Sequence, residues 1–130
     1  MKKYPKVSII IVTCNSEETI DPCLFSVLNN NYPNYEVIII DNVSRDRTHK
    51  IIEKYITNPR YKSRIKLIIS PINMGIPKAL NLGIKKSKGK YIAFLDSDAV
   101  VDPNWLFYPI KIMEENKKIG ATQSKILRIK

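Results

Sequence analysis

Short, almost continuously apolar runs recur along this chain, separated by segments in which apolar residues return every three or four positions. The runs are rich in Val and Ile and predict five strands, at 6–13, 36–40, 65–70, 91–95 and 121–129. Runs that lack polar alternation are typical of strands buried on both faces, as in a parallel sheet. The spaced segments between them predict helices.

The first two predicted helices have polar residues at their starts. The first covers 19–29, and Pro22 falls in its first turn, where a proline removes no intrahelical hydrogen bond. The second is capped by Ser44 or Asp46 and continues through Tyr55. Each helix connects one predicted strand to the next.

Two further helices are marked by prolines. Pro77 lies near the start of the third, which ends around 86–89, and Pro103 opens the fourth, where Pro109 predicts a kink. The regular alternation of strands and helices predicts an α/β fold with a mostly parallel, doubly wound, Rossmann-like sheet and helices on both faces. At 130 residues the chain, 1–130, is expected to form a single domain.

The composition is that of a globular protein, with 44% hydrophobic and 26% charged residues. No apolar run approaches the ~20 residues needed to cross a bilayer, and the run at 7–12 is short for a signal peptide. Cys14 and Cys23 lack metal-ligand spacing and are typical of reduced thiols. We therefore expect a cytoplasmic location.

The formal net charge of +10 favours anionic partners. Lysine and arginine together are denser at 85–90 and 125–130, although the first cluster is more typical of a solvated helix end. The seven Tyr are scattered and no nucleic-acid-binding motif is present, so no nucleic acid is expected as a partner. A peripheral contact with the inner face of a membrane stays open.

Two acids one residue apart follow the predicted strand 91–95. Asp96 and Asp98 would stand at the carboxyl end of a parallel strand, where ligands of open α/β sheets bind. Paired carboxylates suit a divalent cation that carries phosphate oxygens. The spacing alone is also typical of a solvated surface turn, so the neighbouring loops have to decide.

Polar loops follow the other predicted strands as well. They contain Thr13, Cys14 and Asn15 after the first strand, Asp41 and Asn42 after the second, and Asn73 and Gly75 after the third. Each loop by itself fits a turn or a helix cap. Because the strands are predicted to be parallel, all of these loops converge on one edge of the sheet. Together with Asp96 and Asp98 they predict a site for a nucleotide and a metal.

From about 7 to 127 the chain resembles the inverting nucleotide-sugar glycosyltransferases of the family 2 type, which have the GT-A fold. The resemblance rests on 7–15, 32–42, 73–75 and 89–98, with Ala79, Asn81 and Gly83 between the last two stretches. Their order and spacing make the signal specific. It implies a donor of the nucleoside diphosphate sugar type, with uridine or deoxythymidine as the nucleoside, and a glycan or lipid-linked acceptor.

The resemblance also implies roles for individual residues. Asp98 would meet the divalent cation, Mg²⁺ or Mn²⁺, that bridges the donor's diphosphate, while Asp96 would help there and reach ribose or sugar. The residues around the base and ribose would be Thr13, Cys14, Asn15, Asp41 and Asn42, and the donor site would be completed by Asn73, Gly75, Lys78 and Ser97. Lys78, as one lysine of a basic chain, is alternatively a solvated side chain.

Three positions depart from the family pattern. Cys14 stands where an aromatic residue is usual, Val43 where glycine is frequent, and Leu80 where arginine is common. No acid after Asp98 matches the family's general base, which we expect beyond Lys130. The sequence therefore predicts the donor-binding domain of a transferase, truncated before its acceptor-binding and general-base segment.

Two other classes remain as alternatives. A phosphohydrolase of the haloacid dehalogenase type also places Asp-x-Asp at a strand end, with the first Asp as nucleophile. Only 32 residues (130 − 98) follow Asp98, which leaves no room for that family's later motifs. A non-catalytic basic module that binds anionic lipid or nucleic acid is the other alternative, and its binding would depend steeply on salt.

Overall fold

The computed structural model of the chain describes residues 4–125 and 127, and within them strands and helices alternate. The elements are β1 (Val7–Thr13), α1 (Ile20–Leu28), β2 (Tyr35–Asn42), α2 (Thr48–Ile56), β3 (Ile65–Ser70), α3 (Ile76–Lys86), β4 (Tyr91–Asp96) and α4 (Phe107–Glu115). The predicted α/β fold is confirmed. No helix of this described part is long and apolar enough to cross a membrane.

The four strands form one sheet in the order β3-β2-β1-β4, and every neighbouring pair is parallel. β1, β2 and β3 are each followed by a helix that returns the chain to the other end of the sheet, as parallel pairing requires. In the register, Thr13 lies beside Asp41 and Val12 beside Asp96. The carboxyl ends of the central strands therefore reach the same edge.

Helices cover both faces of the sheet. The larger core cluster joins strand residues such as Ile9 and Ile39 to Leu24 of α1, Ile52 of α2 and Ile110 of α4. On the opposite face α3 packs over a smaller cluster of Ile38, Ile40 and Ala79. α3 comes close to β1 at Gly83, where an added Cβ would lie 2.6 Å from Cγ2 of Ile10. This doubly wound arrangement holds the polar strand ends on a rigid, dry core.

The predicted fifth strand is wrong for its described part. Residues 121–125 and 127 are exposed and lie outside the four-stranded sheet. An additional strand can join the sheet only beside a strand that has an unpaired edge. β1 and β2 already have partners on both sides, so only the outer edges of β3 and β4 remain. The described segment pairs with neither. Residues 126, 128 and 129 of the predicted strand lie outside the described residues.

The fourth helix begins later than predicted. Residues 103–106 form turns, with Phe107 N–H donating to the carbonyl oxygen of Asn104 at 3.0 Å, and α4 starts at Phe107. Pro109 is thus in the first turn, where its missing N–H costs no intrahelical bond. The prediction of a kink at Pro109 was wrong for this reason.

Two strands extend further toward the carboxyl edge than predicted. β2 continues through Asp41 and Asn42, and β4 includes Asp96. Three residues that the sequence placed in loops or beyond strands are therefore held by the sheet's hydrogen-bonded ladder. Strand positions fix a side chain more firmly than loop positions do.

Candidate functional site

A cleft of about 710 Å³ opens at the carboxyl edge of the sheet. Of the residues predicted from the sequence, its lining contains Thr13, Cys14, Asn15, Asn42, Asn73, Gly75, Asp96, Ser97 and Asp98. Loops after all four strands thus contribute to one cavity. Its size is that of a small-molecule site, which typically occupies ~300–1,000 Å³.

Three residues in these loops have left-handed backbone conformations. They are Asn15 (φ 50°), Val43 (φ 62°) and Gly75 (φ 78°), each between a strand and the following helix. Asn and Gly adopt such angles readily, but a β-branched residue does so only with strain. Val43 therefore holds a loop shape that is typical of glycine, at an energetic cost.

Hydrogen bonds join the β1–α1 loop to the β2–α2 loop. Asn15 N–H donates to Ser44 Oγ at 2.9 Å, and Arg45 N–H donates back to Asn15 Oδ1 at 2.8 Å. One residue further, Ser16 N–H donates to Thr48 Oγ1 at 2.8 Å. The two loops that were predicted to surround a base are therefore bonded to each other as one unit.

The remaining loops are tied to the same unit. Met74 N–H donates to Asn42 Oδ1 at 2.9 Å, so the end of β2 holds the β3–α3 loop. Ser16 Oγ and Ser97 Oγ lie 3.1 Å apart, which connects the β1–α1 loop to the Asp96–Asp98 turn. Asn42 is thus partly occupied by the protein itself, and its amide NH₂ is the group left to face a ligand.

Two predicted residues do not line the cleft. Asp41 is fully buried and accepts hydrogen bonds from Ser44 N–H (3.2 Å) and Ser44 Oγ. Its carboxyl group also contacts Nε2 of His49, a residue that sequence reasoning missed. Lys78 is exposed on α3, outside the lining. Their direct contact with a donor stays a prediction.

Several lining residues were also missed. The lining additionally contains Val12, Ser16, Glu17, Glu18, Thr19, Asp46 and Ile76. Glu17 and Glu18 lie in the turn just before α1. Their position in the sequence suggested only that acidic charge is favourable at the start of a helix. That they face the cavity follows from the direction in which the β1–α1 loop leaves the sheet, for which the sequence carries no signal.

Asp96 and Asp98 are exposed at the mouth of the cleft. Within the described residues neither carboxylate has a salt bridge or a side-chain hydrogen bond, so their oxygens are available. The described part of the chain contains no group of three or more His, Cys, Asp or Glu side chains that could hold a metal ion. Two hard oxygen ligands fit Mg²⁺ or Mn²⁺ only when phosphate oxygens or waters complete the coordination.

The electrostatic effect of these acids reaches Cys23 on α1. Burial, together with the nearby charges of Asp98 and Asp96, raises the pKa of the Cys23 thiol to about 12. The thiol donates a hydrogen bond to the backbone oxygen of Asp96 at 3.6 Å. Cys23 is therefore a packing residue beneath the acid pair, whereas Cys14 is exposed in the cleft lining.

An unsatisfied hydroxyl lies in the wall of the cleft. Oγ1 of Thr13 is buried and has no hydrogen-bond partner in the part of the chain that the structure describes. Buried polar atoms without partners are rare and often mark a place where a ligand or water supplies the missing bond. Thr13 is the last residue of β1, so the sheet fixes this hydroxyl at the cleft wall.

The four-stranded parallel sheet and its carboxyl-edge cleft define an α/β domain of the glycosyltransferase GT-A type. The family model described as glycosyl transferase family 2 matches residues 8–128, and the chain belongs to that family. This membership decides against the phosphohydrolase alternative.

Curated relatives agree with this assignment. The chain is 34% identical over 124 residues to an uncharacterized glycosyltransferase of Haemophilus influenzae, covering 95% of this chain and 38% of the relative. It is 36% identical over 115 residues to a poly-beta-1,6-N-acetyl-D-glucosamine synthase of Staphylococcus epidermidis, covering 88% of this chain and 27% of the relative. The chain therefore spans about a third of the length of these relatives.

Solved structures show the same fold. S. aureus TarS 1–349 in complex with UDP-GlcNAc superimposes with a TM-score of 0.76 at 31% identity, over 85% of this chain and 31% of that chain. The mannosyltransferase PcManGT from Pyrobaculum calidifontis, at 24% identity, gives a TM-score of 0.79 over 86% of this chain and 33% of that one. The second likeness speaks for the fold alone.

Proposed function

We propose that this chain forms the donor site of an inverting glycosyltransferase that transfers a sugar from a nucleoside diphosphate sugar to an acceptor hydroxyl. The observation that carries the proposal is the carboxyl-edge cleft. In it two carboxylates, which form no salt bridge with any described residue, stand opposite polar loops that hydrogen bonds hold together. Rigid loops can bind a nucleotide without a large ordering cost.

The nucleoside would occupy the side of the cleft formed by β1 and β2. There Thr13 offers an unsatisfied hydroxyl and Asn42 an amide group, while Cys14 and Asn15 form the rim. Asp41 would act from behind the wall, because it holds Ser44, and Ser44 accepts the hydrogen bond of Asn15 N–H. Hydroxyl and amide groups in fixed positions select the edge of a base or a ribose.

The diphosphate would lie toward Asp96 and Asp98. We propose Asp98 as the direct ligand of Mg²⁺ or Mn²⁺ and Asp96 as its neighbour toward ribose or sugar, with Ser97, Asn73 and Gly75 around the donor. A bound divalent cation supplies Lewis-acid stabilisation of the negative charge on the departing diphosphate. Lys78 lies outside the lining, and its contribution is limited to the charge it adds near the phosphates.

The comparisons favour a uridine donor over the deoxythymidine alternative. TarS, a solved relative at 31% identity, carries UDP-GlcNAc in its structure, and another relative is a poly-beta-1,6-N-acetyl-D-glucosamine synthase. A third relative is a putative teichuronic acid biosynthesis glycosyltransferase. These names support a glycan or lipid-linked acceptor in the synthesis of a cell-envelope polysaccharide.

The acceptor hydroxyl must lose a proton during an inverting transfer, and a general base has to take it. The acids after Asp98 are Asp102, Glu114 and Glu115, none of which lines the cleft. We therefore propose that residues 1–130 provide the donor site and that the base belongs to a segment beyond Lys130.

The free thiols and the basic charge support a cytoplasmic location at the inner face of a membrane.

Calorimetric binding of UDP and dTDP, with and without Mn²⁺, tests the proposal. We expect Mn²⁺-dependent binding, with UDP preferred, that Asp98→Asn weakens at least ~10-fold, since one ligand of the cation is lost. Glu115→Gln is the matched control, because this exposed acid on α4 lies outside the cleft. Tight binding that ignores both the metal and Asp98→Asn would overturn the proposal.

A further inference from the structure

A second cavity, of about 420 Å³, lies at the opposite edge of the sheet. It opens between the end of α1 and the starts of β2 and β3, and it is lined by Leu28, Asn29, Asn30, Asn31, Tyr32, Pro33, Tyr35, Arg60, Tyr61 and Arg64. The lining contains two guanidinium groups and no acid. This cavity lies at the amino ends of the strands, whereas the carboxyl-edge cleft lies at their other ends. The proposed transfer therefore makes no use of it.

Arg64 is the unusual residue of this cavity. Its guanidinium stacks over the ring of Tyr35, 4.3 Å from the centroid, and Nη2 donates to the carbonyl oxygen of Pro33 at 3.0 Å. The other terminal nitrogen, Nη1, is buried and has no hydrogen-bond partner among residues 4–125 and 127. An unpaired donor on a charged group costs more than an ordinary lost hydrogen bond, so an acceptor brought by a ligand to this guanidinium group would be stabilising.

Arg60 provides a second cationic group in the same lining. Its Nη2 donates to Asn29 Oδ1 at 3.2 Å, and its guanidinium lies 5.5 Å from the centroid of the Tyr61 ring. Among the described residues no carboxylate comes within salt-bridge distance of Arg60 or Arg64. The positive charge of both side chains is therefore not neutralised inside the protein.

The amide side chains of this cavity are already occupied. Asn30 Nδ2 donates to the carbonyl oxygen of Val27 at 2.6 Å, and Asn29 Nδ2 donates to that of Phe25 at 2.8 Å. What remains for a ligand is a set of donors from two arginines, beside the phenol of Tyr61. Planar guanidinium groups match the oxygens of phosphate groups in bidentate geometry.

We propose that this cavity binds a phosphate group, carried either by a soluble phosphorylated molecule or by a phospholipid headgroup. Arg64 supplies its guanidinium group from the half-buried part of the lining, and Arg60 supplies a second guanidinium group from the exposed side. The site is separate from the donor cleft, so its occupancy does not depend on the proposed glycosyl transfer.

Titration of the ¹⁵N-labelled chain with inorganic phosphate, matched in ionic strength with sodium chloride, tests the site. We expect saturable shifts of the Nε–Hε signals of Arg64 and Arg60. Arg64→Gln should weaken this binding at least tenfold and Arg60→Gln severalfold, while Lys54→Gln, which removes one positive charge from exposed α2, should leave it unchanged. Because Arg60 is exposed, its variant keeps the test valid even where Arg64→Gln fails to fold.

The backbone amide signals of Asn42 and Gly75 report on the carboxyl-edge cleft in the same spectra. They distinguish phosphate binding in that cleft from binding in the second cavity. A second arm measures sedimentation with phosphatidylglycerol and phosphatidylcholine vesicles. Retention by phosphatidylglycerol that both arginine variants lose identifies a lipid source, and phosphate binding without retention identifies a soluble one. Shifts that sodium chloride reproduces, or saturable shifts that survive both arginine substitutions, would overturn the proposal.

Discussion

Nε2 of His49, on the second residue of α2, contacts the buried carboxyl group of Asp41 at the end of β2. The hydrogen bonds of Ser44 link the same carboxyl group, at the end of β2, to the loop that carries Asn15. The wall of the carboxyl-edge cleft therefore depends on a side chain that does not itself line it.

Replacement of His49 by alanine should loosen this wall. Asp41 would keep only its Ser44 partners, and we expect the free energy of unfolding in urea to fall by about 1–3 kcal/mol because a buried polar group loses a hydrogen bond. UDP binding should weaken along with it. Lys50→Ala is the control, since Lys50 is exposed on the same helix. Equal behaviour of the two variants would contradict a positioning role for His49.

Val43→Gly should stabilise the protein. The valine has φ 62°, an angle whose strain costs about 1–3 kcal/mol for a non-glycine residue. Glycine gives back part of this gain through its freer unfolded state, so we expect a net rise of about 1 kcal/mol and a higher Tm. Val100→Gly, at an exposed position outside the left-handed region, should not stabilise. A loss of stability in Val43→Gly would contradict the expected gain from relieving the strain at this angle.

The two cysteines should differ in their reaction with iodoacetamide. Cys14 is exposed in the cleft lining, whereas burial raises the pKa of Cys23 to about 12 and keeps it a thiol at neutral pH. We expect mass spectrometry of the native chain to find modification at Cys14 alone. UDP with Mn²⁺ should slow that modification, and an unchanged rate at saturating UDP would place the nucleotide elsewhere.

The stability of the fold should depend on the ionisation of Glu36. This buried acid accepts hydrogen bonds from Ser8 Oγ (2.6 Å) and Lys88 N–H (2.7 Å). Burial by itself would raise the pKa of Glu36, but these bonds and the nearby lysine charges outweigh it and hold the pKa below the ordinary 4.5. A lowered folded pKa stabilises above the unfolded value and is lost as pH falls through the folded one.

Urea unfolding between about pH 5 and pH 2 measures this contribution. The native chain should lose more stability over that range than Glu36→Gln, which has no charge to lose. Glu115→Gln, an exposed acid, should follow the native chain. Parallel curves for the native chain and Glu36→Gln would refute the assigned role.

Much of the fold could be predicted from the sequence, because β-branched runs and helical spacing are local signals. The carboxyl-edge position of Asp96 and Asp98 followed from the end of one apolar run. The start of α4 could not be predicted, since a proline at 109 fits both a kink and a first turn. The contact of His49 with Asp41, across eight residues, depends on how α2 packs against the sheet. The stacking of Arg64 on the ring of Tyr35 likewise depends on tertiary packing and could not be predicted from the sequence.

The central claim is that a divalent cation, bound with a nucleoside diphosphate, sits at Asp98 in the carboxyl-edge cleft. Paramagnetic broadening by substoichiometric Mn²⁺ in the presence of UDP locates such an ion directly in the NMR spectrum of the chain. We predict that the backbone amides of residues 96–99 broaden first and that Asp98→Asn removes the effect. Broadening centred on Glu17 and Glu18, or broadening at 96–99 that persists in Asp98→Asn, would contradict the account.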